Sequence, residues 1–361
     1  MTRKALIMAG GTGGHVFPAL ALARALRADG WDVVWLGTQR GLEARVVPSE
    51  QIPIEWLSIG GLRGKRLGTL LAAPFNLLRA LWQALGVMRR QQPDLVVGLG
   101  GFVTGPGGLA AWLRRIPLLI HEQNAVAGFT NRVLARLARQ VLVAFPNAFG
   151  PGVSVQLIGN PLRTEITHQL PPAQRFAQRS GAIRLLVVGG SLGAARLNAV
   201  VPHALARLAE RLQFDVRHQA GERGFVSAQQ SYAEAQVRGE VTPFIADMAE
   251  GYAWADLVIC RAGALTISEL AAVGVASVLV PFPAAVDDHQ TVNARYLVEA
   301  EAAVLIADRE LTVERLAAEL ERLCAGRGRL LAMAERARQR AQLNATQALR
   351  TACEQWAGVA A

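Results

Sequence analysis

Cysteine and lysine are both scarce in this sequence of 361 residues, and each shortage closes off a class of function. The three cysteines, Cys260, Cys324 and Cys353, have neither the paired spacing of a zinc site nor the even count of a disulfide framework, so a reduced, cytosolic setting is expected. The only internal lysine, Lys65, has Ile59 where the first glycine of a Walker A loop would stand and Arg66 where its serine or threonine would be. That excludes a P-loop NTPase. A dinucleotide fingerprint starting at Gly11 would need glycine at Val16, and the second expected strand ends in Gly37-Thr38 rather than in an acid for a ribose, so NAD is disfavoured. The apolar run after Met1 is too short for a secretory leader and reads as a first strand.

What is present fits a globular chain: 52% of residues are hydrophobic and 18% charged, and the length favours two domains. The net charge of +10 is unevenly placed. Residues 1–165 hold 18 Lys and Arg against 8 Asp and Glu, whereas residues 166–361 hold 20 of each. A basic first half attracts either nucleic acid or an anionic membrane surface, and the apolar stretch described below selects the membrane.

The apolar run Ala5–Ala9 stops at Gly10-Gly11-Thr12-Gly13-Gly14-His15, with an apolar-periodic helix expected from near Pro18. A strand, a glycine turn and a helix start bring backbone N–H groups to an anion, most simply a phosphate. The same order returns at Leu185–Val188 followed by Gly189-Gly190-Ser191-Leu192-Gly193-Ala194. Strands are expected at 5–9, 32–37, 54–59, 95–98, 117–121 and 141–144, then at 184–188, 214–218, 241–245, 256–260, 276–280 and 303–307, with helices between. The fold class is therefore α/β, two Rossmann-like domains with parallel sheets facing a central cleft and a boundary near 160–172, where Gly159-Asn160-Pro161 and Pro171-Pro172 flank the change in charge.

Ligands of such sheets sit beyond the C-terminal strand ends, which singles out several segments. Gly98 to Gly108 is dense in glycine, as expected where backbone approaches a ligand closely. His121-Glu122-Gln123-Asn124 puts an imidazole, a carboxylate and two amides at the end of the fifth strand. In the second half Glu269 lies about one turn into the helix after Arg261-Ala262-Gly263, where a carboxylate can accept from the vicinal hydroxyls of a ribose. Asp287-Asp288-His289-Gln290 follows a later strand; no further carboxylates stand by to complete a hard-cation shell, so sugar hydroxyls suit it better than a metal.

Leu67 to Met88 is almost continuously apolar, yet Asn76, Arg79 and Gln83 recur at helical spacing and exclude a simple membrane span. Arg63, Lys65, Arg66, Arg89 and Arg90 flank it, as expected of a helix lying in a membrane interface; a buried domain helix is the competing expectation.

GGTGGHVFP at 10–18, GGFVTGPGG at 100–108, HEQN at 121–124, GNPLR at 159–163, GGSLGA at 189–194 and CRAGALTISE at 260–269 together resemble the MurG family, the peptidoglycan N-acetylglucosaminyltransferases of the GT-B fold. The resemblance spans almost the whole chain. It implies an inverting transfer of N-acetylglucosamine from UDP-GlcNAc to O4 of the muramyl sugar of lipid I, giving lipid II at the cytoplasmic face of the inner membrane, with roles in cell-wall synthesis, cell shape and division. It implies an acceptor- and membrane-binding domain at 1–163, a donor-binding domain at 164–340, and a C-terminal helix, 341–361, returning to the first. The donor site it implies comprises Ser191, Ile245, Ala264, Leu265, Thr266, Ile267, Ser268, Glu269 and Gln290, completed by Thr12, Gly13, Gly14, Asn124 and Arg163. His15 is the expected base and Glu122 its competitor, with Arg261 and helix N-termini stabilising the departing UDP. No metal, cofactor or nucleic acid is expected; other cell-wall synthesis proteins are candidate partners. Leu192, Phe102 and His289 depart from residues common in the family, so only backbone contacts carry over there. A UDP-N-acetylglucosamine 2-epimerase of the same fold is the alternative, and a nucleotide-sugar-sensing membrane adaptor is the non-enzymatic one.

Overall fold

A computed structural model describes residues 2–60, 73–190, 193–283 and 288–357. The chain divides into two compact units, one of residues 1–163 with 344–361, the other of residues 164–343.

The first unit is built on a parallel sheet in the order β3-β2-β1-β4-β5-β6-β7. Its strands are β1 Lys4–Met8, β2 Asp32–Gly37, β3 Ile54–Trp56, β4 Leu95–Gly98, β5 Leu118–Glu122, β6 Gln140–Val143 and β7 Gln156–Leu157. Along β1, Ala5, Ile7 and Ala9 enter one apolar cluster, with the helix Gly13–Ala28 and Leu349, Ala352 and Cys353 of the helix Ala345–Trp356. Leu6 and Met8 enter another, on the helices Ala73–Gln91 and Thr104–Leu113. Both faces are covered, which is why these strands read as unbroken apolar runs rather than as alternation. The final helix is fastened by the Trp356 indole N–H, 2.9 Å from Gln140 Oε1, and by Arg350 on Asp29.

The second unit repeats the order as β10-β9-β8-β11-β12-β13. These strands are β8 Ile183–Val188, β9 Phe214–Gln219, β10 Glu240–Thr242, β11 Leu257–Cys260, β12 Ala276–Leu279 and β13 Ala303–Leu305. Ile183, Leu185 and Val187 pack with the helices Ala195–Leu208, Val313–Cys324 and Arg327–Gln339. Leu186 turns to the other face, toward Gly251. All three cysteines are free and buried; burial raises each thiol, Cys260 and Cys324 to about 12.

In both sheets the order reverses beside the first strand, between β1 and β4 and between β8 and β11. Crossovers leave in opposite directions at such a point, so the loops after those strands part and open a crevice. The glycine turns after β1, β4, β8 and β11 lie there, whereas one glycine-rich segment is α-helix. That segment corrects the expectation for 98–108: Gly105, Gly107 and Gly108 are helical, and Cβ atoms at the last two would stand 2.3 Å from Met8 Sδ and 2.8 Å from Leu134 Cδ1. They are glycines so that the helix can lie close to its neighbours, and only Gly100 and Gly101, with φ of +100° and +89°, form the turn.

The helix Ala73–Gln91 carries apolar side chains on a buried and on an exposed face; residues 61–72, with Arg63, Lys65, Arg66, Leu70 and Leu71, lie outside the described residues. Ala80, Ala84, Val87 and Met88 are buried in the core, whereas Phe75, Leu78 and Trp82 are 75%, 64% and 78% exposed. Gln83 accepts from the Ser58 N–H at 2.9 Å. Among the described residues no helix is long and apolar enough to cross a membrane.

Candidate active site

In the first unit the site begins where β1 ends. Gly11 has φ +93°, Thr12 is the extended N-cap, and the helix starts at Gly13, five residues before Pro18, which lies inside it. The first N–H groups of that helix, from Gly13 and Gly14, point out of its N-terminus without intrahelical partners. His15 Nδ1 lies 3.2 Å from the Gly10 carbonyl oxygen. A carbonyl only accepts, so Nδ1 carries the proton and the lone pair of the neutral ring falls on Nε2. The ring lies over Gly100, where a Cβ would come within 2.9 Å of Nε2, and a Cβ at Gly101 would sit 2.4 Å from the Gly10 carbonyl oxygen. The two glycine turns at the switch point therefore interlock around the imidazole.

The HEQN segment is more inward than its polarity suggests. His121 is fully buried; its Nε2–H donates to the Gly159 carbonyl at 2.9 Å and its Nδ1 accepts from the Gln123 amide at 3.2 Å. Burial lowers its pKa to about 4, so the ring is a neutral brace between β5 and the Gly159 turn. Glu122 is 3% exposed and accepts four hydrogen bonds. Oε1 takes the Asn124 N–H and side-chain amide at 3.0 and 3.2 Å; Oε2 takes the Gly128 N–H at 3.1 Å and the Asn131 amide at 2.8 Å. So engaged, it clamps the 124–131 loop. Asn124 is thereby held at the strand end, and Arg163 is half-buried at the last residue before the second unit.

In the second unit Gly190 and Gly193, with φ of +81° and +74°, frame the turn; Ser191 and Leu192 lie outside the described residues. A Cβ at Gly193 would stand 2.5 Å from the Ala220 carbonyl oxygen, so the turn has no room for a larger residue there. After β11, Gly263 is the extended N-cap of the helix Ala264–Val273. Leu265, Thr266 and Ser268 are partly exposed, and Ser268 Oγ donates back to the Ala264 carbonyl at 3.0 Å. Ile267 is fully buried, so its side chain belongs to the core and only its backbone can serve a ligand.

Glu269 is 8% exposed and accepts from the Tyr252 hydroxyl at 3.2 Å, a partner that nothing in the sequence pattern marked. Gln290 Oε1 accepts from the Ala262 and Phe282 N–H groups at 3.2 and 2.9 Å, which orients its Nε2 donors as what it can offer. Ile245 follows β10, half-buried beside the exposed Phe244. Arg261 is not a loose cation: its Nη1 lies 2.6 Å from Asp308 Oδ1 and donates to the Val280 and Pro281 carbonyls. Among the described residues no group of three or more His, Cys, Asp or Glu could hold a metal ion; Asp287 lies outside them, and Asp288 accepts from the Thr291 hydroxyl.

Residues 5–143 match the glycosyltransferase family 28 N-terminal domain and residues 184–349 its C-terminal domain. A protein of Alkalilimnicola ehrlichii named UDP-N-acetylglucosamine--N-acetylmuramyl-(pentapeptide) pyrophosphoryl-undecaprenol N-acetylglucosamine transferase is 59% identical over 94% of either chain. The crystal structure of Acinetobacter baumannii MurG superposes with a TM-score of 0.87 at 44% identity, covering 98% of this chain and 99% of the other. A structure described as a putative UDP-N-acetylglucosamine 2-epimerase, from Listeria monocytogenes, aligns over 100% and 98% of the two chains with a TM-score of 0.65, but at 14% identity the likeness is one of fold alone.

Proposed function

The chain belongs to glycosyltransferase family 28, and from that membership we propose that it transfers N-acetylglucosamine from UDP-GlcNAc to O4 of the muramyl sugar of lipid I, forming lipid II. One observation carries the reading: 59% identity, over nearly the whole of both chains, to a protein named for that transfer. Its two parallel-sheet halves are those of the GT-B fold. The epimerase alternative has only the shared fold behind it.

The donor binds the second half in this reading. The Ile245 backbone meets the uracil, Glu269 the ribose hydroxyls, Ser191 the phosphate, and Ala264 to Thr266 with Gln290 the diphosphate and sugar, with Ile267 and Ser268 beside them. Thr12, Gly13, Gly14, Asn124 and Arg163 complete the site. The hydroxyl attacks the anomeric carbon as His15 Nε2 takes its proton; the bond to UDP breaks, its electron pair leaving on the β-phosphate, and the configuration inverts. Helix N-termini offset that developing charge.

Release of UDP should depend on a lipid-linked acceptor. In calorimetry Glu269→Ala, which removes a charge-assisted hydrogen bond of about 1.5–3 kcal/mol, should weaken UDP binding roughly 10- to 100-fold. Acceptor-independent turnover would overturn the transferase reading, and unchanged UDP affinity in calorimetry would overturn the role of Glu269 alone.

Membrane docking takes its support from the exposed face of the helix Ala73–Gln91 and its neighbour Thr104–Leu113. Phe75, Leu78 and Trp82 stand out from the first, Trp112 and Leu113 from the second, and the last two line a cavity of about 540 Å³ with Arg115, Arg136 and Arg139. Each exposed arginine adds about 1 kcal/mol on an anionic surface, and apolar insertion about 25 cal/mol per Å². The chain then rests peripherally on the cytoplasmic face of the membrane, where lipid I presents its sugar. Changing Phe75, Leu78 and Trp82 together to serine should abolish co-sedimentation with anionic vesicles without lowering the unfolding midpoint, because all three are mostly exposed. Binding indifferent to lipid charge and to these side chains would remove the surface from consideration.

A further inference from the structure

Glu43 is a fully buried carboxylate that neither polarity nor periodicity singles out, and it lies directly beneath the first glycine turn. It follows Gly37-Thr38-Gln39-Arg40-Gly41-Leu42, at the start of the helix Glu43–Ser49. Its Oε2 accepts from the Gly11 N–H at 2.9 Å, while Oε1 accepts from the Thr38 N–H at 2.9 Å and the Thr38 hydroxyl at 2.7 Å. Three glycines make the space it fills. Cβ atoms at Gly10, Gly37 and Gly41 would come within 2.6 Å of Oε1, 2.9 Å of Cγ and 1.9 Å of Oε2. An unpaired carboxylate is costly to bury, so this one is held by the donors it meets.

These contacts bear on the reacting group. Gly10 is the residue whose carbonyl receives the His15 Nδ1–H, and its backbone is also the surface against which Gly101 packs. The Gly11 N–H, moreover, is already taken by Glu43, so an anion at this turn is left to the N–H groups of Gly13 and Gly14. We propose that Glu43 is a positioning residue for the transfer reaction: its carboxylate fixes the Gly10–Gly11 backbone and, through the Gly10 carbonyl, the tautomer and orientation of His15. The link to His15 rests on the reading of that residue as the base; the fixing of the turn does not.

The distinction between a charged pin and a space-filling side chain is decided by Glu43→Gln. Whichever way its amide turns, an NH2 group faces either the Gly11 or the Thr38 N–H, donor against donor, although the shape is kept. The expected result is a kcat about 10- to 100-fold lower with the calorimetric affinity for UDP unchanged, since the proposed uracil, ribose and phosphate contacts lie in the second unit. Gly41→Ala perturbs the same contact from the other side, since its Cβ would displace Oε2 while the charge stays, and should lower kcat in the same way. It also decides the matter if Glu43→Gln does not fold. His15→Ala combined with Glu43→Gln should be no slower than His15→Ala alone, because both act through one group. A folded Glu43→Gln and a folded Gly41→Ala with wild-type kcat would overturn the proposal, and fully multiplicative losses in the double variant would overturn the route through His15. If His15→Ala retains turnover, the base assignment falls by itself, and Glu43 stands or falls on the kcat of its own variants.

Discussion

Replacing His15 by alanine should cost the transfer reaction about 100- to 10,000-fold in kcat while UDP affinity stays within about twofold of the wild type. The expectation follows from the proton positions. Nδ1 is committed as a donor to the Gly10 carbonyl, so the basic atom of the neutral ring is Nε2, over the Gly100 turn. The acceptor hydroxyl must lose its proton as it bonds to carbon, and an imidazole is suited to accept it near neutral pH. The proposed uracil, ribose and phosphate contacts of UDP, at Ile245, Glu269 and Ser191, lie in the second unit, so removing the ring leaves them in place. Glu122 provides the contrast. Its two oxygens accept from Asn124, Gly128 and Asn131, so Glu122→Ala would release a loop that carries Asn124 and should lower the unfolding midpoint as well as the rate. Wild-type kcat in folded His15→Ala, with a stability-neutral collapse in Glu122→Ala, would exchange the two roles.

The strands were legible because strands covered on both faces are runs of Val, Leu and Ile closed by glycine or polar residues, and such runs have few other uses in a soluble chain. β1, β4, β8 and β11 fall within a residue or so of their expected positions, which places both switch points and hence the turns. β7 escaped notice: Gln156–Leu157 is two exposed residues on a sheet edge, too short for any period. The strand expected at 54–59 ends at Trp56, for after it Leu57 pairs only with Gly37 and Ser58 turns to Gln83.

What the sequence could not reveal is which polar side chains face a ligand and which face the protein. HEQN reads as one reactive cluster, yet His121 and Glu122 spend their hydrogen bonds on Gly159, Asn124, Gly128 and Asn131. Arg261 beside a glycine turn reads as a phosphate ligand, but its partner Asp308 lies 47 positions away. Glu43 shows the converse. A lone acid at a helix start ordinarily serves the helix dipole, and only the three-dimensional meeting with Gly11 and Thr38 gives it another role.

Acid should destabilise both units well before ordinary carboxylates titrate. His121 in the first and His218 in the second are buried, and burial lowers each to about 4. Unfolded, a histidine has its ordinary value near 6.5, so between pH about 6.5 and 4 the unfolded chain binds protons that the folded chain refuses. Stability is complete above that window and falls as pH drops through it, by about 1.4 kcal/mol per pH unit for each ring at the steepest. The two sites differ in what protonation does. A second ring proton on His121 would meet the Gln123 amide, already committed as a donor to the Leu99 carbonyl at 2.8 Å, so donor would face donor. On His218 it would meet the Tyr232 hydroxyl at 3.1 Å, which can rotate and accept, while Nε2–H keeps Asn198 Oδ1 at 3.0 Å. Desolvation dominates at the second site; at the first a lost hydrogen bond adds to it. Glu50, held below its ordinary value by the Arg24 hydrogen bond, begins to lose its contribution only at the acid end of that window and leaves the slope between pH 6.5 and 5.5 to the histidines. Denaturant unfolding at pH 7.5, 6.5, 5.5 and 4.5 should show the slope, and His121→Gln and His218→Gln should each flatten it by a similar amount. A slope unchanged in both variants would mean that neither ring is held neutral by the fold.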